Sequence, residues 1–310
     1  MKILVTGGAG FIGSHLIDKL LKSDNKVVCI DNLSLGNLEN LKFAKKNSSF
    51  VFIKKNLNDT EELSKTFEKY NFDFVYHMAA NSDISKGSSQ TKIDLKNTFL
   101  TTFNVLDQMK KFGVKNIFFP SSSAVYGSCK NKIFEKTTKE PLSFYGSAKL
   151  SSEAYLSAFS YLNNINVWIL RLANVIGPRI THGIIFDFVN KLKKDKKKLM
   201  VLGDGNQEKP YLHVEDLIDC IFFIIKNSNN RFNEFNVSSK DCMKVKKIAE
   251  ETVKYFGEKT KITYGKNSFG WKGDVPYYDY DIKKLKDLGW APKRNSLEAL
   301  RKTLTQLSSS

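Results

Sequence analysis

Thr6-Gly7-Gly8-Ala9-Gly10-Phe11-Ile12-Gly13 follows the apolar run Ile3-Leu4-Val5 and opens a stretch that carries Ile12, Leu16, Leu20 and Leu21 on one helical face. The run from Lys2 to Thr6 is predicted as a buried strand and Phe11 to Ser23 as a helix. Gly7, Gly10 and Gly13 are spaced GxxGxxG. Between a strand and a helix, such glycines let backbone amides approach a pyrophosphate at the positive end of the helix. Working outward, Lys26 to Ile30 is a second strand, ending at Asp31, which stands 18 residues beyond Gly13. A carboxylate there accepts hydrogen bonds from the adenosine ribose and repels a 2′-phosphate, which favours NAD over NADP.

The alternation continues. Strands are expected at Phe50–Lys54, Phe74–His77, Asn116–Pro120 and Val167–Leu172, with helices at Leu63–Tyr70, Leu95–Phe112 and Tyr145–Asn163. Strand–helix alternation with nearly continuous apolar strands implies an α/β fold, a doubly wound parallel sheet covered on both faces. After Gly177-Pro178 the loops lengthen. A helix is expected at Asp216–Lys226, a short strand returning to the main sheet at Phe235–Val237, and two or three helices beyond Val245. A Gly-rich segment runs from Gly265 to Gly273. This divides the chain into residues 1–175, a cofactor domain with that return strand, and residues 176–310, mainly a smaller, interleaved substrate domain.

The chain of 310 residues carries 49 Lys+Arg against 32 Asp+Glu, a formal charge of +17. The cations are spread along its length, and no segment interleaves aromatics with Arg as a nucleic-acid platform does. The densest run, Lys191 to Lys198, reads as the solvated end of a helix and the loop after it. No nucleic-acid partner is expected. The four cysteines are far apart without a CxxC or a Cys/His spacing for zinc, so no metal is expected. One Lys before Ile3 and an early glycine string do not make a secretory signal, and no apolar run approaches the roughly 18 residues of a membrane span. The expectation is a cytoplasmic protein with no membrane contact.

Tyr145-Gly146-Ser147-Ala148-Lys149 is a YxxxK pair. On a helix the two side chains share a face, and the ammonium is expected to lower the phenol pKa and make Tyr145 a usable base. Ser121-Ser122-Ser123 ends the fifth strand, on the side where open α/β sheets bind ligands.

With these residues in order, the chain resembles the extended short-chain dehydrogenase/reductases, in particular the nucleotide-sugar epimerases and dehydratases with a Rossmann-type cofactor domain. Further shared motifs are His77-Met78-Ala79-Ala80, Ser121 to Gly127, Arg171 to Pro178, Gly203-Asp204-Gly205 to Asp216, and Asp287-Leu288-Gly289-Trp290. The resemblance implies Ser122, Tyr145 and Lys149 as the catalytic trio. It implies NAD contacts from Gly7, Gly10, Phe11, Ile12, Gly13, Asp31, Asn32, Asn56, Leu57, Ala79, Ala80, Tyr145 and Lys149. Substrate contacts would come from Ser122, Tyr145, Asn174, Lys209, Asp274 and Tyr278: Asn174 on the sugar, Lys209 on the diphosphate, Asp274 on the uridine ribose, and Tyr278 limiting bulk at sugar C2. Two positions depart from the family pattern. Asn56 replaces an Asp near the adenine, and Trp271 replaces a diphosphate Arg, with Lys272 beside it.

Family members take a hydride from sugar C4 while the Tyr takes the 4-hydroxyl proton. Dehydratases then need an Asp-Glu pair after the catalytic Ser, and decarboxylases typically show a Glu in that region. Here Ser123-Ala124 stand there, and neither side chain is an acid or base near neutral pH. The expected outcome is 4-epimerisation of a UDP-sugar, UDP-glucose/UDP-galactose by default, with UDP-glucuronate 4-epimerisation or a decarboxylase, dehydratase or reductase as alternatives. A non-enzymatic NAD-binding scaffold is disfavoured, because it need not keep Ser122, Tyr145 and Lys149 together. Relatives often form homodimers through two helices per subunit, here Leu95–Phe112 and Tyr145–Asn163.

Overall fold

A computed structural model describes residues 1–129, 131–256, 259–268, 275 and 277–308. Its central feature is a seven-stranded sheet in the order β11-β6-β5-β4-β1-β2-β3. The strands are β1 Lys2–Thr6, β2 Lys26–Asp31, β3 Phe50–Lys54, β4 Phe74–His77, β5 Asn116–Ser122, β6 Asn166–Leu172 and β11 Phe232–Val237. β1 pairs in parallel with both β2 and β4. The chain therefore reverses its winding at β1, and the crevice at the carboxyl ends of β1 and β4 is where such sheets place ligands.

The helices of this part are α1 Phe11–Leu20, α2 Thr60–Tyr70, α3 Ile84–Ser89, the short α4 Lys92–Asp94, α5 Thr101–Phe112 and α6 Phe144–Asn163. Their ends follow local chemistry. The Asp59 side chain accepts from the Glu62 amide at the start of α2, so that helix begins three residues before the predicted Leu63. Gly113 ends α5 at φ +72°, a conformation that favours glycine. The Ser143 hydroxyl oxygen accepts from the Gly146 amide and starts α6.

The single helix expected over Leu95–Phe112 is instead two pieces. Leu95–Leu100 is π-helical and only Thr101 onward is α. Thr102 donates its hydroxyl to the Thr98 carbonyl at 2.7 Å, and Thr101 reaches the Asn97 and Thr98 carbonyls at 3.1 Å. Such side-chain bonds to the preceding turn loosen the regular α ladder, and apolar periodicity does not register them.

The chain divides into two compact units, one of residues 1–125, 139–171 and 221–235, the other of 126–138, 172–220 and 236–310. The first has its core among Leu4, Val28, Val75, Leu106, Ile117 and Ile169. The second holds α7 Ile184–Lys194, α8 Val214–Asn227 up to Cys220, α9 Val245–Phe256, α10 Lys283–Leu288 and α11 Ser296–Ser308. It also contains three small strand pairs: β7 Asn174–Ile176 with β10 Tyr211–His213, β8 Lys198–Val201 with β13 Lys261–Tyr264, and β9 Glu208–Lys209 with β12 Met243–Lys244. None of the six was predicted: they are runs of two to four residues outside the regular strand–helix alternation. Among the described residues no helix is long and apolar enough to cross a membrane, and no cluster of side chains could hold a metal ion.

Candidate active site

The glycine string packs as tightly as its composition suggests. Gly7 has φ +64°, and a Cβ there would stand 2.6 Å from the Ala79 backbone; one at Gly13 would stand 2.5 Å from the Gly7 carbonyl oxygen. The loop thus lies directly against the end of β4 and folds back on the start of α1. Gly10 caps α1 without a side-chain bond, and no acid stands in the first turn, so the amides of Phe11, Ile12 and Gly13 face outward at a positive helix end. An anionic pyrophosphate fits that cradle.

Asp31 ends β2 with both oxygens engaged: Oδ2 accepts from the Ala9 amide at 3.0 Å and Oδ1 from the Leu33 amide at 2.8 Å. Burial pushes its carboxyl up, and the two backbone bonds oppose that. A carboxylate offers about four acceptor sites, so capacity for ribose hydroxyls remains. These residues therefore fit a dinucleotide with a free 2′-hydroxyl. Asn32 and Asn56 close turns on the Ser34 and Asn58 amides. Leu57 is a core side chain whose carbonyl accepts from Asn104, so it gives the region shape and not a free polar group. Ala79 and Ala80 follow β4, and the Ala79 amide donates to Thr6 Oγ1.

Ser122, Tyr145 and Lys149 come together in the first unit. Ser122 ends β5, and its side chain hydrogen-bonds the Tyr145 phenol. Tyr145 and Lys149 lie in the first two turns of α6, with the Lys149 ammonium 5.9 Å from the Tyr145 ring centroid and 4.5 Å from that of Phe119. Lys149 Nζ donates to the Pro120 carbonyl at 2.7 Å. Gly146 makes the approach possible: a Cβ there would meet the Ala124 carbonyl oxygen at 2.4 Å.

The electrostatics differ from the simple expectation. Burial pushes Tyr145 up to about 12; Ser122 pulls it back, and the Asp94 charge adds to the rise. Lys149 is pushed down to about 7 by burial, against the pull of Glu153 and Asp94. A lysine held near 7 is charged for only part of the neutral range. The phenol is thus governed first by enclosure and by Ser122, and the ammonium is not the leading influence on it.

Several partners were not legible as site residues. Thr6 Oγ1 lies 2.8 Å from His77 Nδ1, and His77 Nε2 lies 3.1 Å from Thr102 Oγ1. Because the Thr102 hydroxyl already donates to Thr98, its oxygen accepts from Nε2–H, and Nδ1 accepts from Thr6. Burial, with Lys149 adding to it, holds His77 neutral at about 3. Glu153 receives Arg171 at 3.0 and 2.7 Å and the Ser121 hydroxyl at 2.5 Å, and Arg171 also pairs with Glu234. Glu153 is four residues beyond Lys149, a spacing that could have flagged it; nothing local could have flagged Asp94.

The predicted substrate residues Asn174, Lys209 and Tyr278 belong to the second unit. Asn174 starts β7, opposite Tyr211. Lys209 and Tyr278, read separately in the sequence, are neighbours: the ammonium stands 5.6 Å from the ring centroid. Asp274, Trp271 and Lys272 lie outside the described residues.

Residues 3–238 match the NAD dependent epimerase/dehydratase family. The chain belongs to that family. Among relatives, UDP-arabinose 4-epimerase 1 of Arabidopsis thaliana is 31% identical, over 96% of this chain and 76% of its own length. The UDP-glucose 4-epimerase of Thermotoga maritima, solved with UDP-glucose, superposes with a TM-score of 0.91 at 30% identity, covering 100% of this chain and 99% of its own. The Thermus thermophilus UDP-glucose 4-epimerase, solved with NAD, gives 0.89 at 26% identity with full coverage of both chains. This epimerase-family chain is accordingly an enzyme that uses NAD.

Proposed function

We propose that this family member interconverts UDP-glucose and UDP-galactose by inversion at C4. The observation that carries the reading is the short turn Ser123–Val125, directly after Ser122 and packed on the start of α6. It sets Ser123 and Ala124 beside the catalytic trio, where an elimination would need a carboxyl group. NAD, held by the Gly7–Gly13 cradle and Asp31, would supply the acceptor and donor for a hydride at sugar C4. Tyr145 acts as a phenolate, stabilised by a hydrogen bond from Ser122 and by the positive charge of Lys149 anchored on the Pro120 carbonyl, and becomes a phenol on taking the proton of the 4-hydroxyl. With Ser123 and Ala124 in the two positions after Ser122 where an acid would expel water, the 4-keto sugar turns over and receives a hydride, and the proton held by Tyr145, on its other face. Lys209 is assigned to the diphosphate and Tyr278, whose ring its ammonium meets, to restricting bulk at sugar C2, on sequence grounds. Asp274 is assigned to the uridine ribose on sequence grounds.

The enzyme is also proposed to act as a homodimer in the cytoplasm. Leu95, Leu100 and Phe103 are exposed on the π segment and α5, Tyr155, Tyr161 and Leu162 on α6, and Tyr155 meets Phe99 and Phe103 edge-on. A second copy of this face would cover them.

The test incubates the purified enzyme with UDP-glucose, UDP-glucuronate, UDP-N-acetylglucosamine, dTDP-glucose and GDP-mannose, with products separated by chromatography and weighed. UDP-galactose from UDP-glucose, at unchanged mass, is expected. A product lighter by water or carbon dioxide would sink 4-epimerisation. Epimerisation of UDP-glucuronate alone would overturn the choice of sugar.

A further inference from the structure

Asp94 ends α4, immediately before the π-helical segment, and is fully buried. Its Oδ1 accepts from Asn81 Nδ2 at 2.8 Å, and the Asn81 amide is tied to Thr98 Oγ1. Its Oδ2 has no hydrogen-bond partner among the described residues. A Cβ at Gly87 would stand 2.1 Å from that oxygen, so the α3 backbone seals it from one side. A carboxylate buried with one oxygen unpaired is costly unless a cation compensates it.

Both α3 and α4 pack against α6, which carries Lys149. The titratable groups acting on Lys149 are Glu153 from α6, Asp94 from α4 and His77 from β4, and Asp83 acts on Asp94. His77 is neutral. Glu153 is already engaged by Arg171 on both oxygens and by Ser121. Asp94 is the carboxylate of this group whose charge is not already matched by a buried guanidinium.

We propose that Asp94 is a positioning residue for proton transfer, the buried counter-charge that keeps Lys149 an ammonium beside Tyr145. Burial pushes the Asp94 carboxyl up, the Asn81 hydrogen bond and the Lys149 charge pull it back, and on elements packed against α6 its negative charge in turn favours the protonated lysine. Removing it leaves Lys149 to lose its proton at lower pH. The link to turnover rests on the catalytic reading of Lys149; the link to Lys149 ionisation does not.

The test is NMR of the enzyme with NAD supplied, carrying 13Cε-labelled lysine. The Lys149 resonance is the one that titrates near neutral pH and disappears in Lys149→Met. In Asp94→Asn its midpoint is expected to fall by about one pH unit, a tenfold change in acid dissociation. Asp94→Ser, smaller and also uncharged, is read in parallel in case the amide variant does not fold. The alkaline limb of turnover should move down with the midpoint, which a merely structural loss would not produce. An unmoved midpoint in the folded variants overturns the proposal. A shifted midpoint in an enzyme that turns over no UDP-sugar leaves it standing and defeats the catalytic reading instead.

Discussion

Tyr145 and Lys149 stand four residues apart on α6, yet each is governed by what encloses it. Burial drives the phenol up to about 12 and the ammonium down to about 7. In the proposed reaction the Tyr145 phenolate oxygen accepts the proton, so Tyr145→Phe should reduce kcat by a factor on the order of 10³. NAD binding, followed by fluorescence titration, should stay within twofold of the native enzyme. Substantial residual turnover would place the base elsewhere. Gly146, between the pair, has a different duty. Gly146→Ala forces a Cβ toward the Ala124 carbonyl, and either α6 or the Ser123–Val125 turn must shift. A displacement near 1 Å costs roughly a hundredfold in rate. Steady-state kinetics should show that loss while circular dichroism retains the native spectrum; an unimpaired enzyme would mean the contact is soft.

At the scale of elements, β1, β4, the π segment and α5 are joined by a directional hydrogen-bond chain from the Ala79 amide through Thr6, His77 and Thr102 to the Thr98 carbonyl. The chain works only with a neutral imidazole. His77 is lowered from 6.5 to about 3 in the folded state. Below 6.5 the unfolded chain binds a proton that the folded one refuses, so this contribution to stability is complete above 6.5 and is lost as pH falls toward 3. Thermal unfolding midpoints should therefore decline on the acid side, and His77→Gln should flatten that decline relative to native enzyme. Parallel declines in both proteins would remove His77 from the account. The same elements show where periodicity misleads. Leu95 to Phe112 has the apolar spacing of one helix, but threonine hydroxyls competing for carbonyls divide it, and the π segment follows directly on Asp94.

For the whole molecule, the exposed apolar side chains of α5 and α6 bear on assembly. Phe103 is 37% and Tyr155 43% exposed, with their rings in edge contact. If a second copy covers them, Phe103→Glu should weaken self-association on the order of thirtyfold, the size of an interface hot spot. Analytical ultracentrifugation across a concentration series reads this directly. A native protein that sediments as a monomer throughout would refute the dimer.

The sequence by itself determined the sheet, the glycine cradle, Asp31 and the trio Ser122, Tyr145 and Lys149. Each is written in local form: an apolar run of strand length, a glycine spacing beside a helix start, a four-residue helical offset. It also supplied the missing acid at Ser123-Ala124, since an absent side chain is as legible as a present one. Only the tertiary structure decided the ionisation of the pair, because desolvation depends on what the rest of the chain packs around it. The same holds for the neutral His77, for Arg171 held between Glu153 and Glu234, and for the pairing of Lys209 with Tyr278. Asp94 is the clearest case. In the sequence it is one acid among many, and only the packing of α3 and α4 on α6 buries its carboxylate beside the lysine it acts on.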